Sequence, residues 1–442
     1  MEITLQNIWK KSRLFVKALT IGIIVLILQI PVYYVNDIIK EREARQKDAV
    51  TEVSNRWAGK QNITGPVIVL PYWEPGSDGK QVKHYANFLP DQLTINSSLT
   101  PQERYRGIYK IMLYTANIKM KGSFSEIKPE KLMLTPDHIL WNEVFLKMKI
   151  SDTKGLKDEL KINWKNKVLT LSPQISLDRP GETELAAPLD SVTINDLKDI
   201  KFSTEFNING SEQILYTPIG KSTTVTLSSS WPDPSFTGNI LPQSSQISKN
   251  GFTASWQSFK HNRNFPQEWK DGAYVFGNQT IETNSLSNAA FGADILIPVN
   301  AYQKTTRSVK YSFLCILLTF AAFFIVENTN KKFIHPFQYG LIGIALILFY
   351  TLLLSFSEYI NFNGSYLIAS IATIALIAWF VKGLLSSAKL ALVLSVVLIL
   401  IYSYVFTILQ LQDYALIVGS VGLFIALAII MYFSKKIQSL NE

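Results

Sequence analysis

The sequence predicts a multi-pass α-helical membrane protein with a large, mainly-β, sandwich-like domain inserted after the first helix. Two observations predict this fold class. Residues 36–302 are polar and rich in turn-forming residues, whereas the chain after Val309 is almost continuously apolar and is broken only by short polar loops. Residues 14–35 form a further apolar run, with Lys17 in its first turn, that is long enough to cross a hydrocarbon core of ~30 Å. One part of the chain therefore suits water and the other suits a bilayer.

The run at residues 14–35 predicts a retained transmembrane signal anchor. Lys10, Lys11 and Arg13 precede it, and it ends in the segment QIPVYY, whose tyrosines suit the membrane interface. A cleavable signal peptide would have a shorter apolar core and a cleavage site flanked by small residues. The segment before the anchor, residues 1–13, is then expected to lie in the cytoplasm.

The C-terminal region predicts a bundle of five further transmembrane helices, over residues 309–433, with a short cytoplasmic tail at residues 434–442. Each run is apolar and close to the length that a membrane-spanning helix needs. The expected spans are residues 309–326, 337–356, 365–381, 388–409 and 414–433.

The charges beside these runs predict that both termini are cytoplasmic and that residues 36–306 lie on the other side of the membrane. The expected outer loops contain Glu358 and Asp413 and no Lys or Arg. Basic residues flank cytoplasmic ends of membrane helices much more often than outer ends. The ten basic residues on the expected inner side are Lys10, Lys11, Arg13, Lys17, Lys331, Lys332, Lys382, Lys389, Lys435 and Lys436.

The exported region is predicted to begin with a helical stalk over residues 36–58. Its apolar side chains recur at helical spacing, and two pairs, Glu41 with Arg45 and Glu43 with Lys47, have the favourable i,i+4 order. Short strands are expected afterwards. Residues 116–122, 144–150 and 223–228 alternate in polarity, and Asn250-Gly251 predicts a hairpin turn. Many short strands and frequent turns favour a β-sandwich or a related double-sheet domain.

Three segments stand out as possible functional or structural motifs. The apolar run at residues 66–71 is bounded by Pro66 and Pro71 and follows Gly65, which predicts a short strand with the prolines at its ends. The segment WPDPSFTGNILP at residues 231–242 contains two prolines and a glycine, so it is expected to form a shaped loop rather than a strand. Its aromatic residues either close one end of the sandwich, which we favour, or form a docking surface for an envelope partner or lipid. The loop residues concerned are Trp231, Pro232, Pro234 and Phe236.

Charged residues beside the membrane spans form the third group. Glu327 ends the second span, Glu358 ends the third, and His335-Pro336 begins the third on the inner side. Ionisable groups in a bilayer are costly, so these positions are either boundary and helix-start residues or groups that line a path through the bundle. The absence of an acidic residue near the middle of a span argues against a proton-coupled transporter.

No enzymatic or cofactor site is predicted. The three histidines of the exported domain, His84, His138 and His261, are far apart and lack metal-ligand spacing. The sequence has no G-x-S-x-G elbow and no phosphate-binding glycine loop. Its single cysteine, Cys315, excludes a disulfide within the chain and suits a bacterial envelope better than a eukaryotic exterior. We therefore predict a protein without a cofactor, and a spatially assembled catalytic site remains open as a minor alternative.

The net charge of +9 does not indicate a nucleic-acid partner. Residues 36–306 contain 31 Lys and Arg against 29 Asp and Glu, so that region carries only +2. The remaining +7 lies in and beside the apolar runs, where positive charge sets membrane orientation. The expected partners are the lipid bilayer and an envelope protein or lipid, and the sequence does not define the oligomeric state.

Several motifs follow one another along the chain: GPVIVLP at residues 65–71, SDTKG at 151–155, SWPDPSFTG at 230–238, FTASWQ at 252–257, PVNAYQKTTR at 298–307, and HPFQYGLIG at 335–343 with LLLSFSE at 352–358. In this order they resemble the CreD family of bacterial inner-membrane proteins over nearly the whole length. This resemblance implies an inner-membrane location, a periplasmic domain, and a role in envelope integrity or stress response. The resemblance does not imply an enzymatic reaction.

Two hypotheses of function follow. In the first, the protein is a non-enzymatic envelope factor whose periplasmic domain contacts envelope components while the helices anchor it. In the alternative, the helical bundle forms a path for transport or lipid handling, and the domain receives the cargo. Whether Glu327, His335 and Glu358 face a cavity or pack against other helices is the observation that separates the two.

Overall fold

The computed structural model describes residues 16–175, 183–190, 192–275, 285–295, 301–330, 332–411 and 414–439. The predicted segment 1–13, Lys331 and Asp413 lie outside them. The chain divides into two compact units. The first, here called the bundle, comprises Met1–Asp48 and Val299–Glu442; the second, here called the β domain, comprises Ala49–Pro298. The predicted fold class, apolar helices with a mainly-β domain between the first helix and the C-terminal bundle, is confirmed.

Seven α-helices account for most of the bundle and its link to the β domain among the described residues. Five of them are long and apolar enough to cross a membrane, α1 and α3 to α6 below. The apolar part of α7 is Ile417–Ile429. The helices are α1 (Val16–Trp57, with a turn residue at Leu28), α2 (Ala301–Lys310), α3 (Ser312–Thr329), α4 (Pro336–Ser357), α5 (Phe362–Leu385), α6 (Ala388–Gln410) and α7 (Ala415–Ser439).

The amphipathic helix α2 was not predicted from the sequence, which placed residues up to 306 in the exported domain. Tyr302, Thr305, Ser308 and Val309 are its buried residues, at the spacing of one helical face. The described side chains of the bundle pack through polar as well as apolar contacts. The Tyr366 hydroxyl, on α5, donates to the Tyr402 carbonyl of α6 at 2.8 Å.

The first helix continues through the region that the sequence predicted to be a stalk. Both predicted i,i+4 ion pairs are present, with Arg45 Nη2 2.5 Å from Glu41 Oε1 and Lys47 Nζ 3.4 Å from Glu43 Oε1. Exposed pairs of this kind stabilise a helix by only ~0.3–0.5 kcal/mol each. The two ion pairs therefore add little to the stability of this helix. Its position is fixed mainly by its buried side chains, which pack against other elements.

The described residues of the β domain form two sheets, as the sandwich prediction requires. Its strands are β1 (Gln61–Pro75), β2 (Gln81–Phe88), β3 (Gln92–Arg106), β4 (Tyr109–Glu126), β5 (Phe145–Ile150), β6 (Lys161–Trp164), β7 (Lys167–Thr170), β8 (Ser172–Ile175), β9 (Thr183–Pro188), β10 (Lys198–Ser211), β11 (Gln213–Tyr216), β12 (Ser222–Ser229), β13 (Ser235–Gly238), β14 (Ser244–Ser248), β15 (Gly251–Phe259), β16 (Glu268–Lys270) and β17 (Phe291–Asp294).

The nine-stranded sheet has the order β13-β17-β11-β1-β5-β9-β8, with β2 pairing with β1 and β16 pairing with β2. The eight-stranded sheet has the order β14-β15-β12-β3-β4-β10-β6-β7. Side chains from both sheets form one hydrophobic core, in which Trp256, Tyr216, Phe124 and Phe291 are among the largest fully buried groups. The hairpin predicted at Asn250-Gly251 is confirmed, because it joins β14 to β15.

Two local predictions are wrong. Pro66 and Pro71 do not bound a short strand, because β1 runs through both of them from Gln61 to Pro75. A register shift in the pairing of β1 with β5, between Thr64 and Val67, accommodates the first proline. The segment around Phe236 is also not wholly irregular: residues 235–238 form β13, a short strand at the edge of the nine-stranded sheet, where a proline-flanked strand is tolerated.

Candidate functional site

The predicted residue Glu327 lies at the centre of a buried polar group, here called the Glu327 cluster (Lys17, Glu327, Ile334 and Tyr339). The Glu327 side chain is only 5% exposed. Lys17 Nζ forms an ion pair with its Oε1 atom, and the Ile334 backbone N–H donates to the same atom at 2.9 Å. The Tyr339 hydroxyl donates to Oε2 at 2.9 Å. The carboxylate is therefore satisfied by three different elements of the bundle.

The loop between α3 and α4 places these groups. His335 caps α4: its Nδ1 accepts from the Phe337 N–H at 3.3 Å, and its own N–H donates to the Gln338 side chain at 2.8 Å. Pro336 occupies the first turn of α4, where its missing N–H costs no hydrogen bond. His335 is exposed, so the structure assigns it to helix capping and not to the polar cluster.

Lys17 is held by more than its ion pair. Its ammonium group donates to the Ile334 carbonyl at 3.0 Å and lies 4.4 Å from the centre of the Phe333 ring. A carbonyl and an aromatic face both favour a cation. Because the carboxylate and the ammonium neutralise each other and each has further partners, the cost of burying two charges is largely offset.

Glu358, at the other end of α4, forms a second polar group, here called the Glu358 cluster (Arg42, Tyr302 and Glu358). The Tyr302 hydroxyl donates to Glu358 Oε1 at 3.2 Å, and Arg42 Nε lies 3.7 Å from the same atom. The Glu358 side chain is 10% exposed and that of Arg42 is 40% exposed. This ion pair is more accessible to water than the pair of Lys17 with Glu327, so it contributes less to stability.

The two clusters join α1 to its neighbours at two separate positions: Lys17 contacts Glu327 on α3, and Arg42 contacts Glu358 at the end of α4. Lys17 and Arg42 are separated by 25 residues of α1, which corresponds to about 37 Å at 1.5 Å per residue. A hydrocarbon core is ~30 Å thick, so this separation is sufficient for the two clusters to lie at its opposite surfaces. Charged groups at these depths cost much less than charges at the bilayer centre. The two clusters therefore hold α1 against α3 and against the end of α4, on either side of the apolar segment of α1.

The predicted loop residues Trp231 and Phe236 contact the core of the β domain. Phe236 meets Phe252 and Trp256 edge to face, with ring centres 5.8 and 5.6 Å apart. The Trp231 indole N–H donates to the Asp233 carbonyl at 3.0 Å, and the ring packs partly against the core. These contacts, with Pro232 and Pro234 half-buried, agree with the interpretation that the loop closes one end of the sandwich.

The motif at residues 65–71 is part of a buried strand and not an exposed site. Gly65 has a φ of +135°, the Gly65–Pro66 peptide bond is cis, and residues 61–72 of β1 are all buried. A Cβ atom built on Gly65 would lie 2.9 Å from the Cα of Met148 on β5. Close packing of two backbones explains the glycine here.

The sequence did not indicate a polar group that is formed by Tyr72 on β1, His84 on β2 and Asp271. The Nδ1 atom of His84 lies 2.8 Å from Asp271 Oδ2, and the Tyr72 ring stacks on the imidazole with ring centres 5.7 Å apart. Burial raises the pKa of the Tyr72 phenol, and the charges of Asp271 and Glu74 raise it further. The phenol therefore stays protonated near neutral pH and is a poor base or nucleophile there.

A buried ion pair was missed as well. The alternation of polarity over residues 144–150 sets Lys147 on the face of β5 opposite the apolar residues, yet its side chain is only 2% exposed, and its Nζ atom lies 3.8 Å from Glu184 Oε2 on β9. The three histidines are not brought together. Among the described residues, no group of three or more His, Cys, Asp or Glu side chains is placed to hold a metal ion.

Apolar helices long enough to cross a membrane, joined by ion pairs and with a two-sheet domain inserted after the first of them, define a multi-pass integral membrane protein. A family model described as "Inner membrane protein CreD" matches residues 13–439. The chain belongs to the CreD family of inner membrane proteins, as its motifs predicted. It is 29% identical over 435 residues to the Inner membrane protein CreD of Escherichia coli (strain K12), covering 97% of this chain and 94% of that protein.

Proposed function

We propose that the protein is a non-enzymatic factor for cell envelope integrity or the envelope stress response. In this proposal both termini lie in the cytoplasm, the first helix is an uncleaved signal anchor, and the β domain lies in the periplasm. The observation that carries the proposal is the β domain itself. Residues 49–298 of an inner-membrane protein form a separate compact unit with one core. A domain of this size gives the anchor a large surface for contact with envelope components.

The contacts of the two membrane carboxylates support an anchoring role for the bundle. Glu327 and Glu358 are engaged by groups on α1, and neither carboxylate needs a transported ion to satisfy its charge. Transport or lipid handling is the competing function. Robust flux of a substrate in proteoliposomes, abolished by Glu358→Gln, would favour it.

The proposed orientation is tested with reporter fusions. Alkaline phosphatase is active only outside the cytoplasm, so a fusion at residue 200 is expected to be active and a fusion at residue 442 inactive. The physical reason is the concentration of Lys at one end of the bundle, where the exposed Lys382 and Lys389 flank the junction of α5 and α6. A cytoplasmic fluorescent protein at residue 442 provides the matched positive signal, and activity in the reverse pattern would exclude the orientation.

The envelope role is tested by deletion. Cells lacking the gene are expected to become sensitive to detergents and to antibiotics that act on the envelope, and expression of the full chain is expected to restore resistance. A chain lacking residues 59–298 is the informative variant, because it keeps the membrane helices and removes most of the β domain. If that variant restored resistance as well as the full chain does, the β domain would not carry the function.

A further inference from the structure

The eight-stranded sheet has an outward face with an unusual composition. On β14, β15, β12 and the first part of β3, to Thr100, the outward-facing side chains are Ser, Thr, Asn or Gln, except for the exposed Phe259 at the end of β15, and none is charged. We call this surface the neutral face. One row that crosses six paired strands shows the pattern: Gln246, Thr253, Ser228, Ser98, Asn117 and Asn207.

The lack of charge here is local. The region of residues 36–306 contains 31 basic and 29 acidic residues, so charged side chains are common elsewhere on it. Charges return on β4 and β10, where Lys119 Nζ lies 3.1 Å from Glu205 Oε1. The neutral face is therefore a bounded patch and not a general property of the domain.

Many of its polar groups are available to a ligand. Within the described part of the chain, the side chains of Ser98, Thr226, Gln246 and Thr253 make no hydrogen bond to another protein group. Neighbouring strands lie ~4.8 Å apart, so the face presents donors and acceptors at short, regular intervals. Hydroxyl and amide groups can both donate and accept, unlike ammonium or carboxylate groups.

The neutral face is not flat, because it has a groove at one end. Its volume is about 550 Å³, and it lies where β3, β12 and the β14–β15 hairpin meet. Polar residues dominate its lining, among them Ser98, Thr100, Ser228, Ser230, Gln246 and Thr253. Ile247 adds an exposed apolar side chain. A volume of this size accommodates a ligand of a few hundred daltons.

We propose that the neutral face binds a neutral glycan chain. Without cations it offers little to phosphate or carboxylate groups, and without acidic side chains it offers little to cationic ligands. Its few apolar groups do not suit lipid chains. Sugar hydroxyls and acetamido groups need paired donors and acceptors, which this face supplies. The inference rests on the proposed function, because only a β domain outside the cytoplasm would meet the glycan of the cell wall.

The test uses the full chain in phospholipid nanodiscs, because many common detergents carry a sugar headgroup. The probe is chitohexaose, a neutral β-1,4-linked oligosaccharide of N-acetylglucosamine, measured by calorimetry and by saturation-transfer NMR. Saturable binding is expected. The double variant Ser98→Ala/Thr253→Ala removes two exposed hydroxyls without filling space, and is expected to weaken binding at least about tenfold. Ser98→Arg, which introduces bulk and charge, is expected to abolish it.

Thr170→Arg is the matched control, since Thr170 is also exposed but lies on β7, at the far edge of the same sheet. It is expected to leave binding unchanged. Absence of saturable binding by the wild-type chain, equal binding by the double variant, or tighter binding of the anionic polymer dextran sulfate would each overturn the proposal. None of these results would by itself overturn the proposed function, which fails instead if deletion has no effect on the envelope or the reporters invert.

Discussion

Replacing Glu327 by leucine is expected to lower the free energy of unfolding of the bundle by about 3 kcal/mol. The substitution leaves the Lys17 ammonium, which is only 16% exposed, beside an apolar side chain. It also removes the acceptor for the Tyr339 hydroxyl and the Ile334 N–H. The expected loss is at the lower end of the usual range because the Lys17 side chain is not fully buried and its long stem can extend toward water. Thermal unfolding of the purified chain, followed by the loss of the monodisperse peak after heating, measures the effect.

Two further variants identify the cause. Lys17→Met combined with Glu327→Leu removes both charges, so it is expected to recover much of the lost stability, and the coupling can be read from a double-mutant cycle. Glu358→Gln is the comparison variant at the second carboxylate, which directly follows α4. It is expected to cost about 1 kcal/mol or less, because its partner Arg42 is partly exposed. An unchanged melting temperature for Glu327→Leu would show that the cluster contributes nothing to the bundle.

The fold class could be predicted because its physical causes are local in the sequence. A span of apolar residues has few alternatives to a membrane helix, since every backbone group in lipid must be hydrogen-bonded within its own segment. The alternating strands and the Asn250-Gly251 turn are equally local signals. The i,i+4 pairs of α1 follow from helical geometry once the helix is assumed.

The failures have a common physical origin in tertiary packing. A proline normally ends a strand, but β1 passes Pro66 by shifting its register against β5. Helix α2 is short and mostly polar, and its buried face includes Thr305 and Ser308, so its composition resembles that of the exported region rather than that of a membrane helix. Burial of Lys147 depends on Glu184, which lies on a different strand. The strands that pack against Pro66 and Lys147 are distant from these residues in the sequence.

The candidate site was predicted in part. Glu327 and Glu358 could be singled out, because an acidic residue beside an apolar run is visible in the sequence. Their partners could not be assigned, since 310 residues separate Lys17 from Glu327. His335 was singled out for its charge, but its role is capping, and the Gln338 side chain three residues later is the local signal that indicates it.

Replacing Gly65 by alanine is expected to destabilise the β domain by about 2–6 kcal/mol. Two effects contribute. The backbone at Gly65 has a φ of +135°, a region that costs any residue with a Cβ atom ~1–3 kcal/mol. The new Cβ would also lie 2.9 Å from the Cα of Met148 and 2.5 Å from its Cγ. Relieving that overlap requires β1 and β5 to separate within the core, at a cost of ~1–3 kcal/mol.

Limited proteolysis of the full chain measures this effect, because cleavage within residues 49–298 reports the fraction of β domain that is open. Gly272→Ala is the matched control: Gly272 has an ordinary φ of −81°, and a Cβ atom there meets nothing within 4 Å. The control is expected to be cleaved at the wild-type rate, and Gly65→Ala at least tenfold faster. Equal cleavage of the two variants would mean that β1 and β5 can move apart freely at this point, and that the glycine of the GPVIVLP motif is required for something other than backbone packing.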